Sequence, residues 1–133
     1  MTYVFVTVGS TCFDELVKSI DNEKVLSKLK TLGYNKIIYQ IGLGKYRPIC
    51  THILPVEYFK YKTDITTTIR MSGLVISHAG VGTVMETLRA GRPVVVVPNM
   101  SLMDNHQSEL ADALMFEQYV IKSSPENIFN AIS

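Results

Sequence analysis

Short runs of apolar, mostly β-branched residues alternate along this chain with longer segments that have apolar residues at helical spacing. The clearest run, Pro93–Val97, is valine at every position after the proline. Since a parallel strand that is covered by helices on both faces is apolar along its whole length, this run is typical of a central strand. The alternation of strands and helices predicts an α/β fold with a parallel sheet and helices on both faces.

The same spacing places the individual elements. Gly33 and Gly91 follow helical segments, as glycine does at helix C-termini, and Asp64 is a predicted N-cap for a helix through Met71. The third strand is expected to run into an aromatic loop, Tyr58–Tyr61. The predicted strands are Tyr3–Val8, Lys36–Ile41, Ile53–Val56, Leu74–Ser77, Pro93–Val97 and Tyr119–Lys122, and the other predicted helices are Phe13–Ile20, Val25–Leu32, Gly82–Ala90, Asn105–Met115 and Pro125–Ile132.

Size and composition narrow the class of protein. The 133 residues suit a single domain, 1–133, and the formal net charge of +1 indicates no strong field for nucleic acid or an acidic lipid surface. Cys12 and Cys50 are too isolated for a zinc site or a disulfide framework, which indicates a reducing compartment. We see no signal peptide and no apolar run near the ~20 residues of a membrane span. We therefore expect a cytoplasmic protein that reaches a membrane only through a partner.

Ligands of parallel sheets bind beyond the carboxyl ends of the strands, so the loops there are the candidate site. Gly9-Ser10-Thr11 follows the first strand and offers backbone and hydroxyl donors to an anion, although a tight turn with a helix cap is the more common role of such a loop. Gln40-Ile41-Gly42-Leu43-Gly44-Lys45 follows the second strand. It is neither a Walker loop nor a Rossmann fingerprint, and a flexible turn is the alternative.

The strongest signal is the loop after the fourth strand, Ser77 to Thr83. Gly80, Gly82 and Thr83 open a helix whose N-terminal amides would hold a diphosphate, and Glu86 in its first turns would accept the hydroxyls of a ribose. A helix cap with a dipole-matched glutamate is the alternative, and His78 could be a core histidine. The combination of glycines, a histidine and a glutamate after one strand favours a ligand site.

A polar cluster from Asp104 to Gln107 begins the helix after the valine strand. Such side chains suit sugar hydroxyls, although Asp104 as a simple N-cap with solvated neighbours is equally consistent. His52, His78 and His106 lie far apart without paired carboxylates, so we expect no metal site and no cofactor. The sequence contains no G-x-S-x-G nucleophile elbow, so it gives little support for a serine hydrolase.

Taken together, these loops resemble the C-terminal, donor-binding half of glycosyltransferase family 28 enzymes, which have the GT-B fold. Within the family the chain is most similar to the cytosolic subunits of the eukaryotic two-part UDP-N-acetylglucosamine transferases of N-glycan assembly. The resemblance covers nearly the whole chain. Its carriers are Val4–Thr11 with Phe13–Leu16, Gln40–Gly44, Leu74–Thr83 with Glu86, Ala90–Pro93 and Ser101–Gln107.

The resemblance implies a Rossmann-like sheet and a role for each matched position. Gly9, Ser10 and Thr11 would approach the diphosphate, and Gly80, Gly82 and Thr83 would hold it. Glu86 would bind the ribose, and the backbone near Phe59 would face the uracil. The N-acetylglucosamine would be read by Asn105, His106 and Gln107.

The implied reaction is transfer of N-acetylglucosamine from its UDP carrier to N-acetylglucosaminyl-diphosphodolichol, with inversion. A membrane-anchored subunit at the cytosolic face of the endoplasmic reticulum would bind the acceptor, and the chain would be inactive without it. His78 is the one candidate base within the chain, since the base of the bacterial relative comes from the other domain. The alternative is a non-catalytic nucleotide-sugar-binding regulatory domain of the same fold; a two-domain UDP-sugar epimerase needs a longer chain.

Overall fold

The computed structural model describes residues 2–99 and 120–132. Their strands form one parallel sheet in the order β3-β2-β1-β4-β5-β6. This is the order of the Rossmann fold, in which the crevice between β1 and β4 is the ligand-binding switch point. The strands are β1 Val4–Thr7, β2 Ile37–Gln40, β3 Val56–Phe59, β4 Leu74–His78, β5 Val94–Val97 and β6 Val120–Lys122.

Helices cover both faces of the sheet. They are α1 Asp14–Ile20, α2 Glu23–Thr31, α3 Thr66–Arg70, α4 Val81–Arg89 and α5 Ile128–Ala131, the last preceded by a 3₁₀ turn over Pro125–Asn127. Alternate residues of the strands enter two separate apolar clusters, one with α1, α2 and α5 and the other with α3 and α4. This explains why β5 is valine throughout, because Val95 and Val97 serve one face and Val94 and Val96 the other. The predicted α/β parallel sheet is confirmed.

The third strand was predicted in the wrong place. The prediction was Ile53–Val56, but β3 is Val56–Phe59 and pairs with Ile37–Gln40. Leu54 is buried because it packs on the core from the loop before the strand, so its apolar character mimics a strand signal. β3 lies at the sheet edge and is half exposed. Its aromatic residues, predicted to form a loop, favour a strand.

Two helix predictions differ in detail from the structure. Asp64 accepts a hydrogen bond from the Thr66 amide at 2.9 Å, but the N-cap position itself is Ile65. The predicted helix Pro125–Ile132 is a 3₁₀ turn followed by α5. Ile128 and Ile132 of this segment are each 1% exposed and belong to the core.

Candidate functional site

The loop after β1 is held by a buried polar row that crosses the sheet. Thr7 lies in register with Gln40 on β2 and with Ser77 on β4, and all three side chains are 0–1% exposed. The Gln40 amide donates from Nε2 to the Thr7 hydroxyl at 2.7 Å, and the Gly9 backbone amide donates to the same oxygen at 2.9 Å. These bonds fix the position of the Gly9–Ser10 turn.

Gln40 also reaches the loop after β3. Its Oε1 accepts from the Lys62 backbone amide at 3.4 Å, and its Nε2 lies at the same distance from the Gly9 carbonyl oxygen. The side chain therefore connects two loops as well as bordering the site. This is a positioning role that its location at a strand end did not reveal.

His78 ends β4, and its ring packs against the two loops of the switch point. A Cβ atom on Gly9 would be 2.6 Å from its Nε2, and a Cβ on Gly80 would also collide with the ring. Burial lowers the pKa of the imidazole below its ordinary value, because the charged form loses hydration. Its Nδ1 is buried and has no hydrogen-bond partner in the part of the chain that the structure describes. The ring is thus a neutral spacer between Gly9 and Gly80.

The helix α4 begins directly beside His78 and points its N-terminus at the site. Gly80 is its N-cap with an extended backbone, φ −84° and ψ 126°, and Gly82 and Thr83 lie in its first turn. The first amides of a helix have no partner within it and carry the positive end of its dipole. Farther along α4, the Thr87 hydroxyl donates to the Thr83 carbonyl at 2.8 Å. The start of α4 is therefore suited to an anion such as a phosphate.

Glu86 is held in place from the neighbouring helix α3. The Thr66 hydroxyl donates to its Oε1 at 2.5 Å. Because an ionised carboxylate has about four acceptor positions, this bond leaves room for further donors from a ligand. The residue can orient hydroxyl groups at the outer end of the site.

Most of the predicted site residues meet in one cleft of about 350 Å³ at the carboxyl ends of β1 and β4. This is the switch-point crevice, where a ligand is expected. Tyr61, Lys62, Thr63 and Ile65 from the β3–α3 loop form its outer wall. The predicted residues that line it are Gly9, Ser10, Gln40, His78, Gly80, Gly82, Thr83 and Glu86.

Three predicted residues lie beside this cleft rather than in its lining. The Thr11 carbonyl accepts from the Leu43 amide at 2.9 Å, and Gly42 is packed against the same Thr11 carbonyl. Phe59 packs its ring on Phe5 with centroids 6.3 Å apart, and its carbonyl accepts from the Ile41 amide. The predicted sugar-reading residues Asn105, His106 and Gln107 lie outside the described residues.

Sequence reasoning gave no individual role to three residues that build the site. Thr7 and Ser77 lie within the candidate segments but were signalled only as polar residues near the ends of otherwise apolar strands. Lys62 lies in the cleft wall with its Nζ 4.4 Å from the centroid of the Phe59 ring, a cation–π distance. It adds a positive charge to a site that is otherwise built from neutral donors.

Within residues 2–99 and 120–132, no three histidine, cysteine or acidic side chains are grouped so that they could hold a metal ion. In the same ranges, no helix has the length and apolar character to cross a bilayer.

Comparisons with known proteins agree with the geometry. The model of the family described as glycosyltransferase family 28 C-terminal domain matches residues 3–133. A human protein named UDP-N-acetylglucosamine transferase subunit ALG13 is 44% identical over 90% of this chain, which spans only 11% of that protein's length. A Cryptococcus neoformans relative of the same name is 32% identical over 94% of this chain and 78% of its own length.

Solved structures give the same result for the fold. An NMR solution structure of ALG13 superposes with a TM-score of 0.71 at 28% identity, covering 98% of this chain and 82% of that one. The MurG crystal structure from Acinetobacter baumannii gives a TM-score of 0.69 at 22% identity, covering 97% of this chain and 39% of that one. The predicted equivalence to one half of a GT-B glycosyltransferase is confirmed at the level of fold.

Proposed function

Because this chain belongs to the family of glycosyltransferase family 28 C-terminal domains, we propose that it binds UDP-N-acetylglucosamine and supplies the donor half of an N-acetylglucosaminyltransferase. The acceptor is N-acetylglucosaminyl-diphosphodolichol, and transfer inverts the anomeric centre. The names of the human and Cryptococcus relatives support UDP-N-acetylglucosamine as the donor. The observation that carries the proposal is the convergence of the Gly9–Ser10 turn, the start of α4 and Glu86 on one switch-point cleft.

In this proposal the diphosphate lies between the Gly9–Ser10 turn and the start of α4. The glycines allow the backbone to approach the phosphates closely, and Ser10 and Thr83 add hydroxyl donors. As the bond to the sugar breaks, negative charge grows on the departing UDP. The dipole of α4, its free amides and the Lys62 ammonium stabilise that charge, so the chemistry needs no metal.

Glu86 binds the ribose of the UDP. Its carboxylate can accept from both ribose hydroxyls while Thr66 holds its orientation. The uracil then lies farther out, toward the chain around Phe59. The N-acetylglucosamine faces Asn105, His106 and Gln107, whose side chains have the donors and acceptors that sugar hydroxyls require.

The general base and the acceptor site are assigned to a second, membrane-anchored subunit at the cytosolic face of the endoplasmic reticulum. His78 lines the cleft, but its ring is packed against Gly9 and Gly80 and burial lowers its pKa, which suits a spacer better than a base in contact with an acceptor hydroxyl. The word subunit in the names of the relatives supports a partner.

The nucleotide site is tested by calorimetry with UDP and with UDP-N-acetylglucosamine. Glu86→Ala removes the acceptor of the ribose hydroxyls and is expected to weaken UDP binding by about 1–3 kcal/mol. Glu126→Ala, at an exposed glutamate outside the cleft, is the matched control and should leave the affinity unchanged. Unaltered UDP affinity in Glu86→Ala contradicts the ribose assignment, and no binding of either nucleotide by the unmodified protein contradicts the proposed function.

Dependence on the partner is tested by transfer to a lipid-linked acceptor. The purified chain is assayed with UDP-N-acetylglucosamine, with and without the membrane-anchored subunit. We expect turnover only when both are present. Sustained turnover by the isolated chain would show that the base and the acceptor site lie within it.

A further inference from the structure

A basic surface with exposed apolar side chains borders the outer wall of the cleft. It is made by the loops that follow β2 and β3, which are joined where the Gly42 amide donates to the Lys60 carbonyl at 2.7 Å. We define this surface, the basic rim, as Leu43, Lys45, Arg47, Lys60, Tyr61 and Lys62. The first four line one hollow, and the last two line the cleft itself, so the rim is continuous with the site.

Positive charge is concentrated in this part of the chain. Between positions 41 and 63 there are four lysine or arginine residues, all of them in the basic rim, and one acidic residue, Glu57. Glu57 is already paired with Lys36, at 2.7 Å. The Asp14 carboxylate reaches the rim, where it accepts from the Lys45 backbone amide at 3.2 Å. The net charge of +1 for the whole chain therefore conceals a local excess of cations.

Apolar groups of the rim project into solvent. The Leu43 side chain is 79% exposed and Tyr61 is 56% exposed. Arg47 lies with its guanidinium carbon 5.9 Å from the ring centroid of Tyr58, another half-exposed tyrosine. Tyrosine is enriched at membrane–water interfaces, because its ring is apolar and its hydroxyl can stay solvated. Exposed leucine and tyrosine surrounded by cations mark an interaction surface.

We propose that the basic rim binds an anionic lipid surface. The exposed ammonium groups of Lys45 and Lys60 attract acidic headgroups, and Leu43 and Tyr61 enter the boundary between headgroups and acyl chains. Three of the four cations are lysines, which are depleted in protein–protein interfaces but extend readily from an apolar surface to headgroups. The role of this lipid binding rests on the proposed function. The lipid-linked acceptor of that reaction lies in a membrane, and the basic rim places the mouth of the donor cleft beside that membrane.

The test is co-sedimentation of the purified chain with vesicles of phosphatidylcholine alone or with about 30 mol% phosphatidylserine. We expect binding only to the anionic vesicles, and we expect it to fade between about 0.05 and 0.5 M salt as the charges are screened. Lys45→Gln with Lys60→Gln should weaken partitioning about 25-fold, since each cation near such a surface contributes about fivefold. Leu43→Ser should weaken it while leaving the salt dependence unchanged.

The matched control is Lys24→Gln with Lys30→Gln, which removes two exposed cations from α2 and should partition like the unmodified chain. Equal loss in both double variants, or no preference for anionic vesicles, overturns the proposal. Loss of the partner subunit from Lys45→Gln/Lys60→Gln with unchanged vesicle binding identifies a protein interface and overturns it as well. UDP affinity, measured in parallel, separates the two hypotheses, because vesicle binding without UDP binding contradicts only the proposed function.

Discussion

Replacing Gly9 by alanine is expected to destabilise the protein through two effects that can be separated. The φ angle of Gly9 is +67°, which costs a residue with a Cβ atom roughly 1–2 kcal/mol. The new Cβ would also lie 2.6 Å from Nε2 of His78, and overpacking of this kind costs about 1–3 kcal/mol. The expected total is about 2–5 kcal/mol of the free energy of unfolding.

Gly91→Ala is the control that isolates the contact with His78. Its φ angle is +71°, close to that of Gly9, but an added Cβ would meet nothing within 4 Å. The entropy that alanine removes from the unfolded chain is the same at both sites and cancels in the difference. Urea denaturation should therefore show Gly9→Ala less stable than Gly91→Ala by about 1–3 kcal/mol. Equal losses would refute the role of His78 as a spacer behind the turn.

A double-mutant cycle sharpens the same test. If His78 is the obstacle, His78→Ala should relieve much of the penalty in Gly9→Ala, and the two changes should be coupled by about 0.5–3 kcal/mol. His78→Ala should show no such coupling with Gly91→Ala. Additive behaviour of the Gly9 and His78 changes would mean that the turn moves away from the ring at little cost.

Three further results are expected. Gln40→Leu should lower the free energy of unfolding by about 1–3 kcal/mol, because it removes the donor to the buried Thr7 hydroxyl; urea denaturation checks this, and an unchanged midpoint contradicts it. Because burial lowers the pKa of His78, the unfolded chain binds more protons below about pH 6.5, so stability should fall as pH drops from about 7 to 5. His78→Gln should flatten that fall. Transfer by the reconstituted complex should survive EDTA, and loss that magnesium restores would show that a metal stabilises the departing UDP.

The elements buried on both faces of the sheet were the easiest to predict. β1, β4 and β5 are apolar at nearly every position, and the structure shows the cause in the two clusters that their alternate residues enter. Such a strand stays recognisable because no exposed position interrupts it. The order of the strands in the sheet, by contrast, follows from tertiary packing, because the sequence of a parallel strand does not indicate which strands pair with it.

β3 shows where pattern reasoning failed. Its residues are half exposed at the sheet edge, so burial does not impose a period on them. Leu54, just outside the strand, is more deeply buried than any residue within it. A method that reads burial from apolar character therefore shifts the strand toward Leu54.

The site was predictable as a set of loops but not as a set of contacts. Glycine, hydroxyl and carboxylate residues at strand ends indicated Gly9–Ser10, Gly80–Thr83 and Glu86, and the fold brings these into one cleft. The contact between Thr66 and Glu86 joins residues 20 positions apart on different helices. The packing of His78 against both Gly9 and Gly80 likewise depends on the spacing of two strands, which the sequence does not display.

The buried polar row explains why the two loops can serve one ligand. Gln40 on β2, Thr7 on β1 and Ser77 on β4 lie side by side at the last positions where these three strands pair with one another, in an otherwise apolar sheet. Burying polar groups there is unfavourable unless each is hydrogen-bonded, and each is: Gln40 and the Gly9 amide bond Thr7, and the Ser77 hydroxyl donates to the His78 carbonyl at 2.7 Å. Breaking any of these bonds to move a loop would leave a buried group unmatched. The loops are thus fixed before a ligand arrives, which lowers the ordering cost of binding and, in the proposed function, would keep their donors aimed at the charge that develops on the departing phosphate.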